Sequence, residues 1–204
     1  MSDDIPVLEV RGLTRSFGSA TVLDGVDIRL EPGRRLGLTG ANGSGKTTLL
    51  RCIAGSLTPS AGQIEVAGHP SGSLPARAAI GVTVAHEKAF YQRLSGRRNL
   101  MFYASLRVPE PREAAESVIE EMQLEFAGER VDRYSSGMVQ QLSFARALLG
   151  DPKLLLLDEP TRSLDESASE RLWAALSRRP SVAVVMATHQ SEDVDRCEQR
   201  LELS

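Results

Sequence analysis

At positions 40–47 the chain reads Gly-Ala-Asn-Gly-Ser-Gly-Lys-Thr, and this segment is the strongest indication of the fold. It follows the apolar run RLGLTG at 35–40 and opens a helical segment, TTLLRCIAG, that ends at Gly55. A GxxxxGK[ST] pattern between strand and helix is typical of a loop whose backbone N–H groups surround a phosphate at a helix N-terminus. Lys46 supplies a mobile cation, and the Thr47 hydroxyl is placed to ligate Mg²⁺. The segment therefore predicts a site for a nucleotide phosphate.

Short β-type segments alternate with turn signals on both sides of this loop. They are VLEV at 7–10, VDIRL at 26–30, QIEVAG at 63–68, KLLLLDEP at 153–160 and VAVVMATH at 182–189. Continuous apolar strands are expected in a parallel sheet covered on both faces. From about 87 to 150 the spacing is helical instead, as in EAAESVIEEMQLEF at 113–126.

We therefore expect an α/β fold. It has a phosphate-loop (P-loop) NTPase core with a mostly parallel sheet, an N-terminal antiparallel β-subdomain and an inserted all-helical lobe. We expect the 204 residues to form one domain, with the α/β core at about 1–86 and 151–204 and the helical lobe at about 87–150.

Two adjacent carboxylates, Asp158 and Glu159, end the apolar run at 154–157. Such a pair at the end of a buried strand is costly unless it has a role. A phosphate cradle needs a metal anchor and a water activator. We assign Asp158 to Mg²⁺, through the Thr47 hydroxyl or water, and Glu159 to the general base that polarises the attacking water.

His189 directly follows the apolar strand at 182–188. A histidine at a strand end is often a hydrogen-bonded structural residue. Here it follows a strand whose carboxyl end faces the ligand side of an open α/β sheet. We therefore expect its imidazole to contact the γ-phosphate or the water.

Composition and charge indicate which binding partners are not expected. Hydrophobic residues make up 41% of the chain and charged residues 25%, with a formal net charge of −3. The charges are mixed along the sequence, and the basic face that nucleic acids require is missing, so nucleic acid is not an expected partner. The acidic N-terminus does not read as a secretory signal, and no apolar run approaches the roughly 20 residues of a membrane span. Cys52 and Cys197 have no metal-ligand spacing and are expected to be reduced thiols.

With these segments in place, the chain resembles the ATP-binding cassette (ABC) ATPases over almost its whole length. The decisive segment is YSSGMVQQ at 134–141, which resembles the family signature LSGGQ. Ser135 and Gly137 match that signature. Ser136 stands where a glycine is usual and Met138 where a glutamine is usual.

The resemblance implies a set of site residues. It implies that Ser135 and Gly137 contact the ATP bound to a partner protomer. It implies that Asp165, in the segment Ser163-Leu164-Asp165, transmits signals between the two nucleotide sites. It also implies that Phe17 stacks on adenine. The alternative is that Phe17 is a core residue and does not contact the nucleotide. The expected nucleotide-binding residues are then Phe17, Gly40, Asn42, Gly43, Ser44, Gly45, Lys46, Thr47, Thr48, Ser135, Gly137 and Asp165. The expected catalytic residues are Lys46, Glu159 and His189. The expected Mg²⁺ ligands are Thr47 and Asp158.

Two further segments match less closely. The family places a glutamine that senses Mg²⁺ in the region IGVTVAHEKAFYQRL, where this chain has His86 or Glu87 instead. The following segment, FYQRLSGRRNL, resembles exporter-type members, in which this surface docks onto the permease. Its arginines, Arg93, Arg97 and Arg98, fit a solvated helix start equally well.

The resemblance implies an ATP- and Mg²⁺-dependent hydrolase that dimerises head to tail and powers a separate membrane permease, as an exporter, from the cytoplasmic face of the membrane. The second ATPase protomer can be the same chain or a different one. The alternatives are a soluble ABC ATPase for assembly or remodelling, such as iron–sulfur cluster biogenesis or cell division, and a degenerate nucleotide-binding regulator. The presence of Lys46, Asp158, Glu159 and His189 argues against the regulator.

Overall fold

The computed structural model describes residues 5–83 and 89–203. Contacts between residues divide the chain into two compact units. The first contains the residues up to Ile80, Lys153–Glu159, and the residues from Ser181 onward. The second contains Gly81–Pro152 and Pro160–Pro180.

An antiparallel sheet forms one part of the first unit, in the order β2-β1-β4-β5. Its strands are β1 Leu8–Phe17, β2 Ala20–Leu30, β4 Ala61–Val66 and β5 His69–Pro70. The tight turn between β1 and β2 makes them antiparallel neighbours, with Phe17 opposite Ala20 and Leu8 opposite Leu30. One face of β1 is buried through Leu8, Val10 and Leu13.

A second sheet has the strand order β6-β7-β8-β3-β9, and of β6 only Ile80 belongs to the first unit. The β7–β8, β8–β3 and β3–β9 pairs are parallel. The strands are β3 Arg35–Thr39, β6 Ile80–Val82, β7 Leu154–Asp158, β8 Ala183–Ala187 and β9 Gln199–Glu202. Every side chain at 154–157 and 183–187 is buried, as expected for strands covered on both faces.

The described residues of the first unit contain three helices. They are α1 Lys46–Ile53, α2 Leu74–Ala78 and α7 Ser191–Asp195. Helix α1 begins directly after Gly45, so the segment at 40–47 lies between β3 and α1, as its sequence predicts. Cys52 and Cys197 are buried free thiols, and burial raises the pKa of Cys197 to about 11.

The second unit is helical throughout the part that the structure describes, apart from the end of β6 and one isolated bridge. Its helices are α3 Gly96–Ser105, α4 Pro111–Glu121, α5 Ser136–Leu148 and α6 Glu166–Ser177, with 3₁₀ turns at Glu125–Gly128 and Val131–Arg133. The predicted fold class is confirmed by these elements. The second unit contains Pro160–Pro180 and also residues 81–83 and 151–152, all of which the sequence analysis assigned to the core. The predicted domain ranges stay a prediction.

No helix within residues 5–83 and 89–203 combines the length and the apolar character that a bilayer crossing requires.

An ion pair connects the ends of α4 and α6 within the second unit. Glu121 ends α4 and Arg179 follows α6, and the guanidinium donates to both carboxylate oxygens, at 2.5 and 2.7 Å. The side chains are only 15% and 19% exposed. The hydrogen bond from Arg179 lowers the pKa of Glu121 below its usual value.

We expect Glu121→Gln to lower the free energy of unfolding by about 1–2 kcal/mol near neutral pH, because Arg179 loses its charged partner. The folded-state pKa of Glu121 is depressed. The stabilisation is therefore complete above the unfolded-state pKa and is lost as the pH falls through the folded-state pKa. Urea unfolding followed by the fluorescence of Trp173, the single tryptophan, measures this difference. Glu120→Gln, at the exposed neighbouring position, is the control. An equal loss in both variants, or a difference that grows in acid, contradicts the prediction.

Candidate nucleotide site

The phosphate loop holds Lys46 in a buried position. Its ammonium group donates to the carbonyl oxygens of Gly40 and Ala41, at 2.7 and 3.0 Å, and the residue is only 8% exposed. Among the described residues, no carboxylate forms an ion pair with it. A buried cation that bonds only to carbonyls within its own loop is suited to bind an anion.

Two glycines of the loop have a backbone geometry that excludes a side chain. Gly40 has φ 135°, and a Cβ there would lie 2.2 Å from the Leu203 carbonyl oxygen. Gly45 has φ 101°, and a Cβ there would lie 2.9 Å from Leu23. The hydroxyl of Ser44 is buried and has no hydrogen-bond partner among the described residues. Only glycine fits both positions, and the unpaired hydroxyl leaves a polar group available for a phosphate oxygen.

Thr47 and Asp158 are adjacent. The Thr47 hydroxyl donates to Asp158 Oδ2 at 2.9 Å, although the two residues are 111 positions apart. The described residues contain no cluster of three or more His, Cys, Asp and Glu side chains that could hold a metal. One hydroxyl and one carboxylate form an oxygen donor set that fits Mg²⁺, which keeps several waters and takes phosphate oxygens as further ligands.

Glu159 and His189 meet beside this pair. The imidazole Nε2 lies 3.3 Å from Glu159 Oε1 and 3.0 Å from Asn42 Oδ1. The structure therefore brings Asn42 of the phosphate loop, Glu159 after β7 and His189 after β8 together. These are the carboxyl ends of adjacent parallel strands, where the sequence places the site.

The backbone at Glu159 is strained. Its φ is 46°, in the left-handed region that few non-glycine residues adopt. Its N–H donates to the Ala187 carbonyl at 2.8 Å, which ties it to the end of β8. Strain of this kind, about 1–3 kcal/mol, persists where the surroundings fix the residue, and it is frequent at functional sites.

The turn that carries His189 is held by residues that the sequence analysis did not identify. The Thr188 hydroxyl donates to Asp193 Oδ2 at 3.2 Å and accepts from the Gln190 N–H at 3.1 Å. Thr188 and Asp193 are both buried. A carboxylate four residues after a histidine at a strand end is a weak sequence signal, because it reads equally well as the polar face of a helix.

Phe17 lies at the end of β1 and is 47% exposed, which excludes the core alternative. Its contact is with Arg15, whose guanidinium carbon lies 4.4 Å from the ring centroid. Strand β2, which pairs with β1, packs Val22 and Leu23 against Gly45 of the phosphate loop. No described contact joins Phe17 itself to that loop.

The remaining predicted residues lie in the second unit. Ser135 is the N-cap of α5, and its hydroxyl accepts from the Met138 N–H at 3.2 Å. Asp165 is the N-cap of α6 and accepts from the Ala168 N–H at 2.7 Å. Both side chains therefore accept a hydrogen bond from a backbone N–H group in the first turn of their helix. The sequence analysis did not assign this capping role.

A polar cleft of about 480 Å³ adjoins these two helix ends. Gly137 lies at its wall, where a Cβ would lie 2.6 Å from the Ser163 carbonyl oxygen. Ser136 and Met138, the two departures from the family signature, also line it. The loop around Ser163 is held further by Gln140, a buried residue missed by the sequence analysis, whose amide donates to the Pro160 carbonyl at 3.1 Å.

The structure does not test the predictions for the segment around 86–98. His86 and Glu87 lie outside the described residues. Arg97 forms an ion pair with Glu116, at 2.5 Å, near the start of α3. Docking by Arg93, Arg97 and Arg98 stays a prediction, as does the alternative of a solvated helix start.

The fold and the first unit's site define a nucleotide-binding protein of the phosphate-loop class. The sequence model of the ABC transporter family matches residues 23–162, which is more than half of the chain. The chain therefore belongs to the ABC transporter family.

Two relatives illustrate the range of this family. The chain is 35% identical over 202 residues to the Nod factor export ATP-binding protein I of Rhizobium sp. (strain N33), and covers 66% of it. It is 37% identical over 195 residues to the Fe(3+) ions import ATP-binding protein FbpC 2 of Rhodococcus jostii, and covers 56% of it. The alignments take in 95% and 91% of this chain, so it spans less than two thirds of the length of either relative.

A solved structure shares the fold. The dimeric ATP-binding cassette MJ0796, in a post-hydrolysis state bound to ADP and Pi, superposes with a TM-score of 0.86 at 23% identity. The match covers 97% of this chain and 94% of that chain.

We expect Gly137→Ala to destabilise the second unit by about 1–3 kcal/mol, because the new methyl group must displace the Ser163 carbonyl. Thermal unfolding measures the loss. Gly128→Ala is the matched control, since a Cβ at Gly128 meets nothing within 4 Å and its φ is not positive. Unchanged stability in Gly137→Ala would contradict the close approach.

Proposed function

We propose that this chain binds and hydrolyses ATP as the ATP-binding component of an ABC transporter. The observation that carries the proposal is the convergence of Lys46, the Thr47–Asp158 pair and the Glu159–His189 pair at the carboxyl ends of β3, β7 and β8. This arrangement provides a cation, a metal-binding pair and a base for one phosphoryl-transfer site.

Each residue has a role within this proposal. Lys46 turns from its loop carbonyls to the phosphate oxygens. Thr47 and Asp158 hold Mg²⁺, which when bound neutralises charge on the terminal phosphates. Glu159 accepts the proton of the attacking water, and His189 positions that water or the γ-phosphate. His189 already lies within hydrogen-bond distance of Asn42, so the imidazole is oriented across the loop.

We further propose that the chain acts as a head-to-tail dimer with a second ATPase protomer. Ser135 and Gly137 serve the partner's ATP, and a cleft lies in front of them in the second unit. ATP binding favours the closed dimer by as much as its affinity for the closed state exceeds that for the open state.

A separate membrane permease completes the proposed assembly, which places the chain at the cytoplasmic face of the membrane. Relatives named for export and for import are similarly close, at 35% and 37% identity. The proposed direction of transport, export, therefore rests on the resemblance of the segment at 90–100 to exporter-type members. Gentle solubilisation and mass spectrometry of co-purifying proteins identify the permease, and recovery of cytosolic proteins alone contradicts its existence.

Glu159→Gln tests the base. We expect the kcat for ATP hydrolysis to fall by about 10²–10⁴ while ATP binding persists, because the amide cannot accept the proton. Light scattering with size-exclusion chromatography should then detect an ATP-dependent dimer. Glu113→Gln, an exposed glutamate in α4, is the control. Turnover by Glu159→Gln at the wild-type rate would show that the base is another residue.

Lys46→Ala tests the cradle. Loss of the buried ammonium group removes a charged donor to the phosphates, and we expect the affinity for ATP to fall by about tenfold to a hundredfold. Equilibrium binding of a fluorescent ATP analogue measures it, with circular dichroism as a check on folding. Affinity equal to that of the wild type argues against the loop as the phosphate site.

A further inference from the structure

The aromatic ring of Phe17 is covered on one face by an anchored arginine. The guanidinium carbon of Arg15 lies 4.4 Å from the ring centroid, well within the range of a cation–π contact. Arg15 Nη1 also donates to the Thr58 carbonyl at 2.9 Å. The guanidinium is therefore fixed between the ring and the segment that precedes β4.

This position is costly for the arginine. Its Nε is buried and has no hydrogen-bond partner among the described residues. A buried N–H without an acceptor is unfavourable. The contact with the ring and the bond to Thr58 are the two interactions that offset this cost.

The stacked arginine leaves Phe17 with one accessible face. The residue remains 47% exposed although the guanidinium occupies one side of its ring. A free phenylalanine at a strand end would sample several rotamers and offer both faces. The covered ring is limited in rotation, and a flat ligand reaches only the opposite face. Holding a contact residue in its bound orientation lowers the entropy lost on binding.

We propose that Arg15 is a positioning residue for the nucleobase, which orients the Phe17 ring so that its open face stacks on the base. The inference rests on the proposed function, because it requires nucleotide binding and a stacking role for Phe17. It adds a residue that does not touch the nucleotide itself and acts only through the ring.

A double-mutant cycle tests this inference. ADP, the product of the proposed reaction, is titrated calorimetrically with Mg²⁺ into the wild type, Arg15→Met, Phe17→Ala and the double variant. Phe17→Ala should weaken binding by about fivefold to a hundredfold, as for loss of one base–aromatic stack. Arg15→Met should weaken it by about twofold to fivefold. In the Phe17→Ala background, Arg15→Met should have no further effect.

Two additional variants separate orientation from general damage. Arg15→Lys keeps a cation that can contact the ring and Thr58, and should recover most of the affinity. Arg11→Met removes an exposed arginine of the same strand, whose partner is Glu9, and should bind as the wild type does.

Each contrary result has a distinct meaning. If Arg15→Met weakens binding equally with and without Phe17, or not at all, the positioning role is wrong. If the wild type binds ADP and Phe17→Ala binds it as tightly, the base does not stack on Phe17, and the inference fails while the proposed function stands. If the wild type does not bind ADP, the proposed function fails and the inference falls with it.

Discussion

The register of β8 between its two parallel neighbours is the constraint on which the candidate site depends. Ala187 lies opposite Asp158 of β7 on one side and opposite Leu38 of β3 on the other. This pairing ends three strands at the same edge and brings Asn42, Glu159 and His189 together. A slip by one residue would turn the buried side chains of β8 to the opposite face, so burial on both faces and register fix each other.

The same edge concentrates features that are unfavourable in isolation. Lys46 is a buried cation, and Glu159 has a left-handed backbone. The Ser44 hydroxyl is buried and has no hydrogen-bond partner within the part of the chain that the structure describes. Each of them is held in place by the strands and the loop around it. Buried unpaired polar groups and strained backbone occur mainly at functional sites, where a ligand or a reaction compensates for their energetic cost.

Sequence reasoning predicted the elements that periodicity and spacing specify. The apolar runs at 154–157 and 182–188 contain the buried parallel strands β7 and β8, and the glycine pattern at 40–47 forms the strand-to-helix loop. It did not predict residues whose role arises from tertiary contacts. Asp193 under the His189 turn and Gln140 on the Pro160 carbonyl belong to ordinary helical sequences, and only the fold shows what they hold. The contact pattern likewise groups 160–180 with the inserted helices, which spacing along the chain cannot reveal.

The two departures in the signature segment are explained locally by the structure. Helix α5 needs an N-cap, and Ser135 provides it. The close approach of the Ser163 carbonyl falls on Gly137, the glycine that this chain keeps. Ser136 and Met138 face the cleft instead, where side chains are accommodated. The chain therefore retains glycine where the backbone requires it, and varies the residues that shape the surface of the cleft. It follows that these substitutions alter what the cleft contacts and leave the helix and its loop intact.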